Sequence, residues 1–188
     1  MIRVLLVDDH PALRAGLGTV LRLEPGLIPV GAAADAEAAL EEARRREPNV
    51  VLVDYHLPGD DGLMLCRRLK ELDPAPRVLI YSADADASLA VPATLAGADG
   101  LANKAAPADE LLEAIRIVAK GTPLFPPISP DMIEGVASRL PWGEQMVFEL
   151  LMERMPDGEI AARLGLEAQD VAERVRSMLA RLRASPVM

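Results

Sequence analysis

Residues 121–188 of this chain contain seven arginines but no lysine. The whole chain holds one cysteine, Cys66, and only 3% aromatic residues. A single cysteine excludes an intrachain disulfide and suits a reducing cytoplasm. With so few aromatics, the core must be built mainly from Leu, Val, Ala and Met. No apolar run reaches the ~18 residues that a membrane-spanning helix requires. The first ten residues, MIRVLLVDDH, turn acidic after a short apolar run. They lack the longer stretch and small-residue cleavage site of a secretory signal. A cytoplasmic protein with no membrane partner is therefore expected.

An excess of positive charge is also lacking. The net charge is −9, and residues 1–120 hold 13 basic and 19 acidic side chains, or −6. Residues 121–188 hold 7 and 10, or −3. Diffuse attraction of the whole chain to nucleic acid or anionic lipid is not expected at that balance. What is present is globular: 51% hydrophobic and 26% charged residues over 188 positions, enough for one large domain or two small ones.

The first 120 residues alternate two patterns. IRVLLV (2–7), LIPVGAA (27–33), VVLVD (50–54), RVLIYS (77–82) and GLANK (100–104) read as strands. Continuous Val/Ile/Leu runs imply strands buried on both faces, as in a parallel sheet. Between them, 11–23, 36–46, 63–72, about 86–96 and 108–120 have helical spacing, with Pro11 and Asp35 as helix starts. The Arg44–Arg46 run reads as the cationic end of a helix. This alternation predicts an α/β fold, a doubly wound five-stranded parallel sheet with right-handed crossovers. GTPLFPPISP (121–130) breaks the pattern with four prolines. A short helix at about 130–138 and helices at 143–154, 158–164 and 168–183 predict a small all-α segment. The expected organisation is 1–120, a linker with a short helix over 121–139, and a helical domain over 140–188.

In an open parallel sheet, sites form beyond the carboxyl ends of the strands. There the sequence places Asp8 and Asp9 after the first strand, Asp54 at the end of the third, Ser82 at the end of the fourth and Lys104 after the fifth. Clustered carboxylates repel and need a cation, and hard oxygen donors with room for water and phosphate suit Mg²⁺. Lys104 offsets more of the charge and can hold a phosphoryl or carboxylate oxygen. Such a site can promote in-line phosphoryl transfer to a carboxylate by positioning and charge neutralisation. Asp54 is the expected acceptor, being central and followed by the open loop HLPGDDG, whose Asp60 and Asp61 read as exposed acids. An aspartyl phosphohydrolase would want acids two residues apart after the first strand, where this chain has Asp8 and His10. No enzyme activity is expected beyond the domain's own phosphoryl transfer and dephosphorylation.

LLVDDHPALRAGL, VVLVDYHLPGDDGL, VLIYSADAD and GADGLANKAAPADEL occur in this order. Together they resemble the receiver domain of bacterial two-component response regulators over all of residues 1–120. The resemblance implies that a sensor histidine kinase phosphorylates Asp54. It also implies that Asp9, Asp54 and the His56 carbonyl bind Mg²⁺ directly and Asp8 through water, with Ser82 and Lys104 on the phosphoryl oxygens. Two positions depart from the family pattern. Leu101 stands where an aromatic switch residue is usual, and Pro92 falls inside the fourth helix, where it removes a donor and is expected to kink or shorten it.

LPWGEQMVFELLMERMPDGEIAARLGLEAQDVAERVRSMLARL (140–182) resembles the LuxR-type helix-turn-helix, which completes a NarL/FixJ-type regulator. In 168–183, Val171, Val175, Met178, Leu179 and Leu182 form an apolar stripe that faces a core. Trp142 and Phe148 read as core anchors. The remaining face, Gln169, Ala172, Glu173, Arg176 and Ala180 flanked by Asp170 and Arg174, is the candidate DNA-reading surface, with Arg163, Arg174, Arg176, Arg181 and Arg183 as phosphate contacts. This face is acidic for its task, and the sequence stops at ASPVM, so the family's usual fourth helix is expected to be missing. The expected function is transcription regulation through this helix-turn-helix, with homodimerisation through receiver or output helices. The alternative is a receiver whose degenerate output no longer binds DNA and acts on proteins as adaptor, antagonist or phosphate sink.

Overall fold

The computed structural model describes residues 1–59 and 61–184. Five strands, β1 (Ile2–Val7), β2 (Leu27–Ala33), β3 (Val50–Asp54), β4 (Arg77–Ser82) and β5 (Gly100–Asn103), form one parallel sheet in the order β2-β1-β3-β4-β5. The interleaved helices are α1 (Pro11–Leu23), α2 (Ala36–Arg46), α3 (Gly62–Lys70), α4 (Ala87–Leu95) and α5 (Ala108–Ala119). Four more follow: α6 (Pro130–Ala137), α7 (Trp142–Met152), α8 (Asp157–Leu164) and α9 (Ala168–Ala184). The expected elements all form, with ends shifted by a residue or two. The expected lack of a helix after α9 falls on residues 185–188 and lies outside the described residues.

The central strand β3 is buried along its whole length, as its unbroken apolar run requires. β2 is an edge strand and only partly buried. Pro29 has no N–H for a ladder, and the β1–β2 register slips where Val4 pairs with Pro29 and Leu5 with Gly31. Local chemistry sets the helix starts. Pro11 opens α1, and Asp35 caps α2 by accepting a hydrogen bond from the Ala38 amide at 2.9 Å. Arg44, Arg45 and Arg46 occupy the last turn of α2, where the helix dipole favours cations.

The chain divides into two compact units. The first comprises residues 1–85 and 98–125 and contains the whole sheet. Its core joins Val4, Leu6, Val50, Leu52, Leu79 and Tyr81 from the strands to Leu111, Ile115 and Val118 of α5. At its edge, Leu124 lies beside β5, where its carbonyl accepts from the Leu101 amide at 2.8 Å.

The second unit comprises residues 86–97 and the chain from 126 onward, so α4 groups by packing with the C-terminal helices. α4 (ASLAVPATL) carries no charge, and it packs on α7 and α9. It runs uninterrupted through Pro92 and keeps the expected length to within a residue at each end, so the proline does not truncate it. Phe148, Val147, Ile160, Val171, Val175, Met178 and Leu179 are buried here, which places the apolar stripe of α9 in a core. Trp142 corrects an expectation: it is 83% exposed at the first position of α7, while Phe148 is fully buried. One helical turn on, Met146 is also exposed, so positions 142 and 146 define an outward face. No helix among the described residues is long and apolar enough to cross a membrane.

Candidate functional site

The carboxyl ends of β1, β3, β4 and β5 bring Asp8, Asp9, Asp54, Ser82 and Lys104 to one edge of the sheet. All of them lie in the first unit. Asp8, Asp54 and Ser82 are buried, Asp9 is more open, and the Lys104 side chain is 21% exposed. Lys104 Nζ lies 2.8 Å from Asp8 Oδ2 and 2.7 Å from Asp54 Oδ2. The lysine thus bridges two carboxylates from different strands, and it stands 5.5 Å from the centroid of the Tyr81 ring. Backbone amides hold the acids in place. The His10 N–H donates to Asp8 Oδ1 at 2.8 Å, and the His56 N–H donates to Asp54 Oδ1 at 3.1 Å. Ser82 Oγ accepts from the Asp84 amide at 3.2 Å, while the Ser82 carbonyl accepts from the Lys104 amide at 2.8 Å.

These contacts set the titration of the site. Burial raises the Asp54 carboxyl, and although Lys104 and the His56 amide oppose it, the net shift stays upward, with the Asp8 charge adding to it. Burial also pushes Asp8 upward, but Lys104 and the His10 amide outweigh it and hold that carboxyl below its ordinary value. For Lys104, burial acts downward and loses to the two carboxylates, so the ammonium is stabilised. The site is therefore a buried charge cluster in which the central carboxylate carries the least favourable ionised form.

Candidate ligand atoms of Asp8, Asp9, His10 and Asp54 lie within 4.8 Å of one another. Asp9 Oδ1 and Asp54 Oδ2 are buried and accept no hydrogen bond; the contacts they have are charge contacts with His10 Nδ1 and Lys104 Nζ. Buried oxygens with lone pairs to spare are what a hard divalent cation requires, so the donor set fits a metal ion.

Three features of this region were not singled out from the sequence. His10 turns its ring onto Asp8 and Asp9, at 3.1 and 2.6 Å. Tyr81 lies beneath Lys104. Gly62 begins α3 against the acceptor strand, with its amide donating to the Tyr55 carbonyl at 2.9 Å. A Cβ at position 62 would meet the Asp54 carbonyl oxygen at 2.2 Å and Tyr55 Cα at 3.0 Å. Gly62→Ala is therefore expected to destabilise the protein by roughly 1–3 kcal/mol, the usual cost of overpacking, with thermal melting as the check. Unchanged melting would show that the loop yields freely. Asp61 also differs from expectation: it is half-buried and caps α3, accepting from the Met64 amide at 2.8 Å. Asp60 lies outside the described residues. Leu101 is buried, as an aliphatic side chain on β5 should be.

In the second unit the proposed DNA-facing residues divide into two groups. Gln169, Glu173, Arg176 and Arg163 are exposed, Ala172 is half-buried, and Gln169 Nε2 donates to Glu173 Oε1 at 3.3 Å. Arg174 and Arg181 instead tie α9 to the start of α7: Arg174 donates to the Gly143 carbonyl, and Arg181 Nε lies 3.6 Å from Glu144 Oε2. Ser177 Oγ donates to Glu144 Oε1 at 2.9 Å in the same cluster.

A parallel sheet of this order with an acidic, lysine-bridged pocket at its carboxyl edge defines a receiver-type phosphoacceptor fold, here followed by a helical output. Residues 4–116 match the response regulator receiver domain family. The chain is 32% identical to the transcriptional activator protein ExaE of Pseudomonas putida, over 97% of this chain and 90% of that protein. It is similar to the crystal structure of a LuxR-family two-component response regulator from Aurantimonas sp. SI85-9A1, with a TM-score of 0.63 and 34% identity over 73% of this chain and 96% of that one. RcsB from Salmonella enterica serovar Typhimurium, solved bound to promoter P1flhDC, shares the fold over 96% of this chain and 91% of its own, with a TM-score of 0.62 and 23% identity. The chain belongs to the two-component response regulators of the NarL and LuxR type.

Proposed function

We propose that this response regulator takes a phosphoryl group on Asp54 from a sensor histidine kinase and regulates transcription in the cytoplasm by binding DNA through α8 and α9. The observation that carries the reading is the position of Asp54: buried, central, and paired with Lys104 at 2.7 Å at the carboxyl edge of the sheet. In the transfer, an Asp54 oxygen bonds to phosphorus as the donor P–N bond breaks and the leaving imidazole takes up a proton. Lys104 neutralises charge on the phosphoryl oxygens, and the Ser82 hydroxyl donates to one of them. Asp9, Asp54 and the His56 carbonyl would hold Mg²⁺ directly and Asp8 through water, and the ion would offset negative charge as phosphate approaches carboxylate.

For the output, Arg163 and Arg176 are exposed and unpaired among the described residues, and they are the cations most available to DNA phosphates. The name of ExaE and the promoter complex of RcsB support DNA as the partner. So few free cations imply modest electrostatic affinity. With ~0.9 in log–log salt slope per neutralised phosphate, two arginines give about −2 per protomer.

The test is one preparation of the full chain with Mg²⁺ and acetyl phosphate, then with beryllofluoride. Mass spectrometry should place a single phosphoryl adduct on Asp54. Fluorescence anisotropy at low salt should show DNA binding that strengthens on activation and falls with this shallow slope. An adduct at another residue would overturn the acceptor. No binding to promoter or random DNA at micromolar protein would overturn the DNA-binding half.

A further inference from the structure

We infer that His10 is a metal ligand of the acidic pocket and that it shifts the site's preference from Mg²⁺ toward borderline divalent ions such as Co²⁺ and Ni²⁺. The inference rests on reading the pocket as a divalent-cation site. Asp8, Asp9 and His10 are consecutive, and the turn after β1 folds their donors together: His10 Nδ1 lies 3.1 Å from Asp8 Oδ1 and 2.6 Å from Asp9 Oδ1. In an octahedral shell with bonds of ~2.1 Å, neighbouring donors lie roughly 3 Å apart and opposite donors roughly 4.2 Å apart. The four candidate ligand atoms lie within 4.8 Å of one another, a spread slightly wider than one such shell that small side-chain rotations would close onto a single ion.

The contacts of the His10 ring are with the carboxylates of the pocket: Nδ1 is hydrogen-bonded to Asp8 Oδ1 and paired with Asp9 Oδ1. His10 precedes α1 as its N-cap, yet its side chain makes no capping hydrogen bond, and the ring is 69% exposed. It points back onto the carboxylates instead of out along the helix. Asp9 Oδ1, its nearer neighbour, is buried and accepts no hydrogen bond. An imidazole nitrogen among carboxylates changes which ion is bound best. Hard all-oxygen sets suit Mg²⁺, whereas imidazole favours later first-row ions, in the order Mn²⁺ < Co²⁺ < Ni²⁺ < Cu²⁺. A mixed nitrogen and oxygen set therefore still accepts Mg²⁺ through its oxygens but gains a bond with Co²⁺ or Ni²⁺.

The experiment titrates the full chain and its His10→Asn variant with Mg²⁺ and separately with Co²⁺ by calorimetry, following the visible absorption of bound Co²⁺ in parallel. Asparagine is a good N-cap, so α1 is preserved. The variant should lose about ten-fold or more in Co²⁺ affinity, the scale on which groups supporting a metal site act. Its Mg²⁺ affinity should stay within about two-fold, and the Co²⁺ spectrum should change. Equal loss for both ions would make His10 a charge or positioning group and overturn the proposal, as would no loss for either. Retained Co²⁺ affinity in His10→Asn with loss in His56→Asn would assign the nitrogen to the other histidine and also overturn it. Failure of the unmodified chain to bind Mg²⁺ is a separate result, which would overturn the reading of the pocket itself.

Discussion

Asp54→Asn is expected to abolish labelling by acetyl phosphate and, near neutral pH, to raise the melting temperature. The first effect follows from chemistry: the amide has no anionic oxygen to form the acyl phosphate, and Lys104 then pairs with Asp8 alone. The second follows from burial. Asp54 is 2% exposed, and burial raises its carboxyl above the ordinary value despite Lys104 and the His56 amide. A group whose pKa is raised on folding contributes stability that is complete below the unfolded pKa and lost as pH rises through the folded one. At neutral pH the folded protein therefore carries an ionised Asp54 at a cost, and a neutral isostere removes that cost along with the repulsion from Asp8. The gain should shrink as pH falls through the raised folded value of Asp54 and be gone once pH is below the ordinary carboxylate value.

Asp8 titrates with the opposite sign: its carboxyl is held low, so its contribution is present above the ordinary value and lost as pH falls through the folded pKa. Asp8 shares Lys104 with Asp54, so a melting series over pH reports the response of the pair to the loss of the Asp54 charge. A variant that melts lower at neutral pH would show that the Lys104 pair outweighs desolvation.

The sheet and its site were legible because both depend on short-range pattern. Unbroken apolar runs specify strands buried on both faces, and in a parallel sheet every strand ends at the same edge. Naming the last residues of the runs therefore named Asp8, Asp9, Asp54, Ser82 and Lys104. The residues that escaped notice depend on orientation instead of period. Nothing in VDDHP says that the His10 ring folds back on the acids, and nothing in DDGLM says that the Gly62 Cα abuts the Asp54 carbonyl. Asp61 belongs with them: N-cap chemistry was available at that position, but the surrounding run of acids and glycine read as open loop.

Trp142 was misread for a different reason. An aromatic at the start of an amphipathic helix looks like an anchor, yet the buried stripe of α7 runs through Val147, Phe148, Leu150 and Leu151 and leaves position 142 on the outer side. Likewise, Arg174 and Arg181 share the helical face of the candidate DNA-reading residues by spacing alone, while their long side chains reach α7.

Phe148→Ala is expected to cost the second unit about 3–5 kcal/mol, the range for truncating a buried phenylalanine. Phe148 is fully buried, and in this aromatic-poor chain no other phenylalanine or tryptophan sits in the core of the C-terminal helices, Trp142 being exposed. Its neighbours in the buried set are the aliphatic Val147, Ile160, Val171 and Val175 and the thioether Met178, none of which fills a ring-sized gap without leaving its own position. A loss of that size is comparable to the whole stability of a small helical unit. Urea denaturation followed by far-UV circular dichroism should show an early transition carrying part of the helical signal. Asp54 labelling should persist, because every group of the acceptor site lies in the first unit. Trp142→Ala is the matched comparison. It removes a larger side chain from the same helix, yet at 83% exposure it should shift the transition by no more than about 0.5 kcal/mol. Equal losses in the two variants would place Trp142 in a packed environment and contradict its position on the outward face of α7.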